Sequence, residues 1–237
     1  MLTQSYKTQT TFIEASADFL AEKLLSALKN SDKVSFLVCG GSTPGPIFEK
    51  LSEMDLPWER IIIGQVDERW VDEKDKGSNA GLLRKTLLKN KAKDATFIPL
   101  KTRAKTAKYA QSKLNDIYSP LLDNPSVVLL GMGLDGHIAA WYPEADGTDK
   151  ALDKNNTDYV QAIMAKPGPI AGDYLERITL TYAALSKASS ALLLIKGKEK
   201  MDVLGDIIYE ADPKYPLSHL WPDLDDKLMT FHLEQTS

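Results

Sequence analysis

The chain has 237 residues, 43% of them hydrophobic and 26% charged, an ordinary globular composition that excludes disordered and fibrous classes. Its 29 Lys and Arg against 33 Asp and Glu give a formal net charge of −4, which argues against nucleic-acid binding, whose affinity comes from neutralising phosphates. No window approaches the ~20 apolar residues of a membrane span, the polar N-terminus lacks a signal peptide, and lone Cys39 cannot form an internal disulfide, so a cytoplasmic protein without membrane contact is expected.

Ile13, Ala17, Leu20, Leu24 and Leu28 recur at spacings of three and four, predicting a helix from about Glu14 to Lys29. Val34 to Cys39 is a nearly continuous apolar run ending at Gly40-Gly41, as expected of a strand buried on both faces of a parallel sheet. Pro44 and Pro46 open a helix striped by Ile47, Leu51 and Met54. Ile61 to Val66 is a second apolar run, Phe97-Ile98 a short strand, and Ala107, Ala110, Leu114 and Ile117 mark a helix. Val127 to Leu130 repeats the strand pattern, followed by strands at Tyr159 to Ile163, Arg177 to Thr181 and Ala191 to Ile195, and a helix marked by Met201, Leu204 and Ile208. Strands alternating with helices predict an α/β fold, a Rossmann-like, mainly parallel sheet flanked by helices. No linker divides the chain and Pro143 to Asn156 reads as a loop, so one domain over residues 1–237 is expected.

In such sheets the ligand crevice lies outside the carboxyl ends of the strands. Three polar segments fall there: Gly40 to Thr43, Asp67 to Asn79, and Gly131 to His137. The first follows a strand and opens a helix, so its amides and hydroxyls suit an anion, phosphate being the natural guest; the alternative is a plain turn in which Ser42 or Thr43 caps the helix. Asp67-Glu68-Arg69 reads as a loop in which Arg69 offers a planar fork to phosphate or carboxylate and Asp67 accepts from sugar hydroxyls, unless the charges merely pair in solvent. Ser78-Asn79 caps the next helix.

Of the three histidines, only His137 follows a buried strand in a glycine-rich turn. It is the candidate general base, with Asp135 to orient the imidazole or bind substrate; a structural histidine is the alternative. His219 and His232 read as structural or surface residues, and Trp58, Trp70, Trp141 and Trp221 as core or rim. Dispersed histidines and a single cysteine give no metal-ligand spacing, and no nucleotide fingerprint is present. Nine Lys and Arg against one acid between Arg84 and Lys108 read as a solvated face.

Taken together, Gly40-Gly41-Ser42-Thr43-Pro44, Asp67-Glu68-Arg69-Trp70-Val71 with Ser78-Asn79, and Leu130-Gly131-Met132-Gly133-Leu134-Asp135-Gly136-His137 resemble the 6-phosphogluconolactonase family in order and spacing. Arg177-Ile178-Thr179-Leu180-Thr181 and Gly197-Lys198-Glu199-Lys200 are similar to two later segments of that family. The resemblance implies the sugar-phosphate-isomerase type of Rossmann-like fold. It also implies hydrolysis of 6-phospho-D-glucono-1,5-lactone to 6-phosphogluconate, the second step of the oxidative pentose phosphate pathway, with no metal or cofactor. The partner would be a small phosphorylated sugar lactone, and the protein a monomer or small homo-oligomer. On this basis His137 matches the general base, Asp135 its neighbour, and Arg69 the arginine that contacts the anionic substrate. Gly40, Gly41, Ser42, Thr43 and Asp67 match binding positions, with Arg177 in the "RITLT" stretch. Lys166-Pro167 resembles a lysine-proline pair before that stretch, with a longer interval to Arg177. A departure follows the histidine: Ile138-Ala139-Ala140-Trp141-Tyr142-Pro143 stands where the family has Thr-Ala-Ser-Leu-Phe-Pro. Ile138-Ala139 is similar to glucosamine-6-phosphate deaminase, whose glutamate before the proline is here Tyr142. A deaminase-like isomerase and a non-catalytic sugar-phosphate-binding protein are therefore the alternatives.

Overall fold

The computed structural model describes residues 2–210, 212–224 and 226–234. In chain order the elements are β1 (Leu2–Tyr6), α1 (Gln9–Leu28), β2 (Val34–Val38), α2 (Pro44–Glu53), β3 (Ile61–Gln65), β4 (Asp67–Arg69), α3 (Asn79–Thr86), β5 (Thr96–Ile98) and α4 (Ala107–Leu122). They continue with β6 (Ser126–Gly131), α5 (Thr148–Leu152), β7 (Val160–Met164), β8 (Glu176–Leu180), α6 (Tyr182–Leu185), β9 (Ser190–Lys196), α7 (Lys198–Glu210) and β10 (Leu228–Leu233).

Seven strands form a wholly parallel sheet in the order β1-β10-β9-β6-β2-β3-β5. Its middle strands are the continuous apolar runs: every residue of β2 is buried, and so are the first five of β6 and the first six of β9. A strand covered by helices on both faces has no solvated side on which to alternate. Helix α1 buries Phe12, Ala17, Leu20, Ala21, Leu24 and Leu28. It begins at Gln9, five residues before periodicity places it, because its first turn is polar and is held by the Thr8 hydroxyl accepting from the Thr11 amide at 3.2 Å. No described helix is long and apolar enough to cross a membrane.

The structure corrects three local expectations. Asp67–Arg69 is strand rather than loop, and the strands at 160 and 176 lie outside the parallel sheet: they join it as a three-stranded antiparallel sheet, β4-β8-β7. The N-terminal residues, in which the apolar pattern marks no element, form edge strand β1, exposed over Leu2 to Ser5. The expected loop from Pro143 to Asn156 contains helix α5. Val66 joins the two sheets, donating to Val38 at 3.0 Å while its carbonyl accepts from the Leu180 amide at 2.8 Å. Buried Trp141 adds a second tie, its indole N–H donating to the Leu180 carbonyl at 2.7 Å. These ties set the charged small sheet against the carboxyl ends of β2 and β6.

Candidate active site

A crevice of about 250 Å³ opens where β2, β3, β6 and β9 end. Gly40 to Pro44, Asp67, Arg69, Asn79, Gly131 to Gly133, His137, Tyr142, Arg177, Lys196 and Lys200 line it, with Cys39 at the end of β2. The three polar segments expected at the crevice thus converge.

Gly41 has φ of 103°, a left-handed turn that glycine adopts without strain. The turn leaves Gly41 and Ser42 exposed at the start of α2. Thr43 is already helical and gives no side-chain cap, so the capping alternative for it is not what the structure shows. Neither the Ser42 nor the Thr43 hydroxyl bonds to another described residue. Both stand free at the positive end of a helix, the setting that favours an anion.

Strand alternation separates the charges of β4. Asp67 and Arg69 line the crevice, whereas Glu68 is fully buried behind them. Its carboxylate accepts from the amides of Arg69 (2.7 Å), Asn79 (2.8 Å) and Ala80 (2.7 Å), and from Gln65 Nε2 (2.8 Å). Burial raises the Glu68 pKa, against the lowering effect of these donors. Glu68 is thus the anchor of the α3 N-terminus rather than a crevice charge. Ser78 caps α3 as expected, accepting from Gly81 at 3.1 Å. Asn79, expected only as part of the cap, faces the crevice instead. Its Oδ1 accepts from Arg69 Nη1 at 2.9 Å and its Nδ2 donates to the Asp67 carbonyl at 3.0 Å. Arg69 Nη1 also donates to the Gly77 carbonyl at 2.7 Å, while its buried Nε has no partner.

Antiparallel register puts Arg177 of β8 directly opposite Arg69. Arg177 is 2% exposed. Its Nε donates to Tyr174 O at 2.6 Å and Nη2 to Ala171 O at 3.0 Å, leaving Nη1 3.9 Å from Asp67 Oδ2. Two guanidiniums side by side in a low-dielectric wall form a strongly attractive place for an anion.

The turn after β6 builds a dyad. His137 Nδ1 lies 2.5 Å from Asp135 Oδ1, and the His137 amide donates to the same oxygen at 3.2 Å. Gly133 donates to the His137 carbonyl at 2.9 Å and its own carbonyl accepts from Gly136 at 3.1 Å, closing the loop on itself. A Cβ on Gly133 would overlap both the imidazole and the Asp135 carboxylate, so the dyad requires glycine there. Burial works to raise the Asp135 pKa, but the hydrogen bond and charge of His137 and the nearby backbone amides outweigh it and hold the carboxyl below its ordinary value. An ionised Asp135 on Nδ1 places the proton there and leaves Nε2, which has no described partner, as the base facing the crevice. Ala139, two residues on, sits at φ 49°, a left-handed conformation that non-glycine residues adopt at a cost. Tyr142 packs its ring on the imidazole, centroids 4.4 Å apart.

Lys200 enters the crevice from the start of α7, its Nζ donating to the Met132 carbonyl at 2.6 Å. Burial lowers its pKa, opposed by the charge of Asp135. Sequence reading placed Lys200 within a family-like segment without giving it a role, and it passed over Tyr142 and Lys196 as binding groups. Lys166 goes the other way: it pairs with Glu144 at 3.1 Å on the surface and lines a separate cavity of about 160 Å³ that shares only Tyr142 with the crevice. His219 and His232 are remote from the crevice, bonding Pro213 O and Ser5 Oγ. Among the described residues, no three His, Cys, Asp or Glu side chains converge as a metal site.

Comparison with known proteins agrees with this geometry. The profile of the family described as glucosamine-6-phosphate isomerases/6-phosphogluconolactonase matches residues 7–229. A 6-phosphogluconolactonase of Xylella fastidiosa (strain Temecula1) is 42% identical over 183 residues, 76% of this chain and 74% of that protein. One from Caulobacter vibrioides is 32% identical over 220 residues, 91% and 90% of the two chains. The crystal structure of a 6-phosphogluconolactonase from Shewanella baltica superposes with a TM-score of 0.88 at 27% identity, covering 99% of this chain and 98% of that one. The chain therefore belongs to the glucosamine-6-phosphate isomerase/6-phosphogluconolactonase family.

Proposed function

We propose that the chain is a 6-phosphogluconolactonase, hydrolysing 6-phospho-D-glucono-1,5-lactone to 6-phosphogluconate. The observation that carries this reading is the Asp135-oriented His137 facing a crevice lined by Arg69, Arg177, Lys196 and Lys200. Its relatives of the same name, above 30% identity, support the same substrate.

The chemistry follows from the dyad. His137 Nε2 takes a proton from water as the water oxygen adds to the lactone carbonyl carbon, and the carbonyl electron pair moves onto oxygen. When that pair returns, the bond from carbon to the ring oxygen breaks and the imidazolium delivers its proton to the ring oxygen. Asp135 holds the imidazole in the required tautomer and stabilises its charged form. The cations and the free hydroxyls of the Gly40 to Thr43 turn hold the phosphate and the developing negative charge. Lys166 pairs with Glu144 and lines the neighbouring cavity together with Asp135 and Tyr142. The enzyme works as a single domain over residues 1–237, without metal or cofactor, in the cytoplasm, as a monomer or small homo-oligomer.

The test is hydrolysis of freshly generated lactone in the presence of EDTA, measured above the spontaneous rate. Wild-type turnover that His137→Ala lowers by about 10²–10⁴-fold in kcat is the expected result. Wild-type turnover no faster than the spontaneous reaction overturns the assignment, and an unimpaired His137→Ala removes the imidazole from the mechanism.

A further inference from the structure

Tyr142 supplies the only phenol among the described residues of the crevice wall. Its ring lies on the His137 imidazole with planes 36° apart, and the Arg177 guanidinium carbon is 5.3 Å from its centroid on the way to Asp67. The residue is 7% exposed, yet its hydroxyl bonds to no described residue and is not sealed from solvent. A phenol hydroxyl this deep in a protein ordinarily has a partner. Tyr142 also lines the cavity beside Lys166. The charges acting most on its phenol, however, are those of the crevice residues Arg177, Asp67 and Arg69, which puts the hydroxyl within reach of whatever occupies the crevice.

The place of that occupant is constrained. A base acts on a water within hydrogen-bond reach, and that water must stand at near-attack distance from the carbon it will join. The reacting carbonyl is therefore confined beside the imidazole, and so beside the aromatic ring packed on it. We infer that Tyr142 is a further catalytic residue, its hydroxyl donating a hydrogen bond to the lactone carbonyl oxygen as that oxygen becomes the tetrahedral oxyanion, while its ring aligns the imidazole. The inference rests on the lactonase reading. No proton leaves the phenol: its O–H donates to the oxygen that has received the carbonyl electron pair, and the hydrogen bond weakens when the pair returns and the ring oxygen departs. Burial raises the Tyr142 pKa, with Arg177 acting in the opposite direction, so the group remains a donor at neutral pH.

The experiment compares wild type, Tyr142→Phe, Tyr142→Leu and His137→Ala in one lactone assay, each variant checked for native circular dichroism. Tyr142→Phe keeps the stacked ring and removes only the hydroxyl. It should lower kcat by about 10²-fold, the scale of one lost oxyanion donor, with KM near the wild-type value. Tyr142→Leu should lower kcat further and shift the acidic limb of the kcat/KM pH profile, because the imidazole loses its aromatic face. A Tyr142→Phe variant with wild-type kcat overturns the inference, as does one that raises KM alone, since that marks a ground-state contact. If Tyr142→Leu does not fold, the Tyr142→Phe result decides. Failure of wild type to exceed spontaneous hydrolysis sinks the lactonase reading and this inference together, whereas failure of Tyr142→Phe alone leaves that reading standing.

Discussion

The two sheets of this molecule divide its labour. In the seven-stranded parallel sheet the strands themselves carry almost no chemistry: β2, β6 and β9 are apolar and buried, and they contribute to the crevice mainly through the turns at their carboxyl ends. In the three-stranded antiparallel sheet the strand residues are the chemistry, with Asp67, Arg69 and Arg177 on one face. The buried body of the large sheet carries no charge, Lys196 standing at the exposed end of β9, because an ion in its core would be neither solvated nor paired. The small sheet tolerates a pair of like charges directly opposite each other, an arrangement that is itself destabilising. Nearby Asp67 relieves part of that repulsion, and a bound anion would relieve the rest. The comparison teaches that stability and binding are held in different layers, joined at Val66 and Trp141.

Substitutions should respect that division. The largest effect belongs to His137→Ala, with the loss of kcat given above and little change in unfolding midpoint, because the dyad is a local turn and not a core contact. Next in size, Phe36→Ala in fully buried β2 should cost about 3–5 kcal/mol in urea unfolding. Folded Phe36→Ala should keep wild-type kcat; if kcat collapses, the layers are not separable. Glu68→Gln tests the seam between them. Replacing one acceptor oxygen with a donor opposite the α3 amides should cost about 1–3 kcal/mol and, by loosening Asn79 and Arg69, raise KM as well. Smallest is the pH effect of Asp135. Its folded pKa lies below the unfolded value of about 3.9, so its stabilising contribution is complete above that value and is lost as pH falls through the folded pKa. The stability gap between wild type and Asp135→Asn should therefore narrow as pH falls below about 3.9, read from unfolding midpoints; a gap unchanged through that range contradicts the lowered pKa.

Much of the large sheet was legible because full burial writes itself as uninterrupted Val, Ile and Leu. The small sheet was not. Asp67–Arg69 is three charged residues long, too short for an alternation to register, and its pairing with Arg177 spans more than a hundred residues of chain. The His137 turn was visible from histidine scarcity and glycine spacing. Lys200 was hard to weigh, because a lysine at a helix start looks the same whether its amine points to solvent or donates to the Met132 carbonyl. Glu68 misled for a related reason: only the fold reveals that donors from Gln65, Arg69, Ser78, Asn79 and Ala80 surround it. Lys166 was read from a local pattern, and its amine pairs with Glu144 on the surface.

Cys39 gives the crevice an unexpected durability. The sulfur sits at the end of β2, beside the reacting groups, where burial first and the charge of Asp67 second push the thiol up to about 12. Peroxides and electrophiles attack thiolate, not thiol. At neutral pH such a thiol is little ionised, which slows its oxidation and its exchange with disulfides. A catalytic pocket that contains a cysteine thereby offers little thiolate to oxidants.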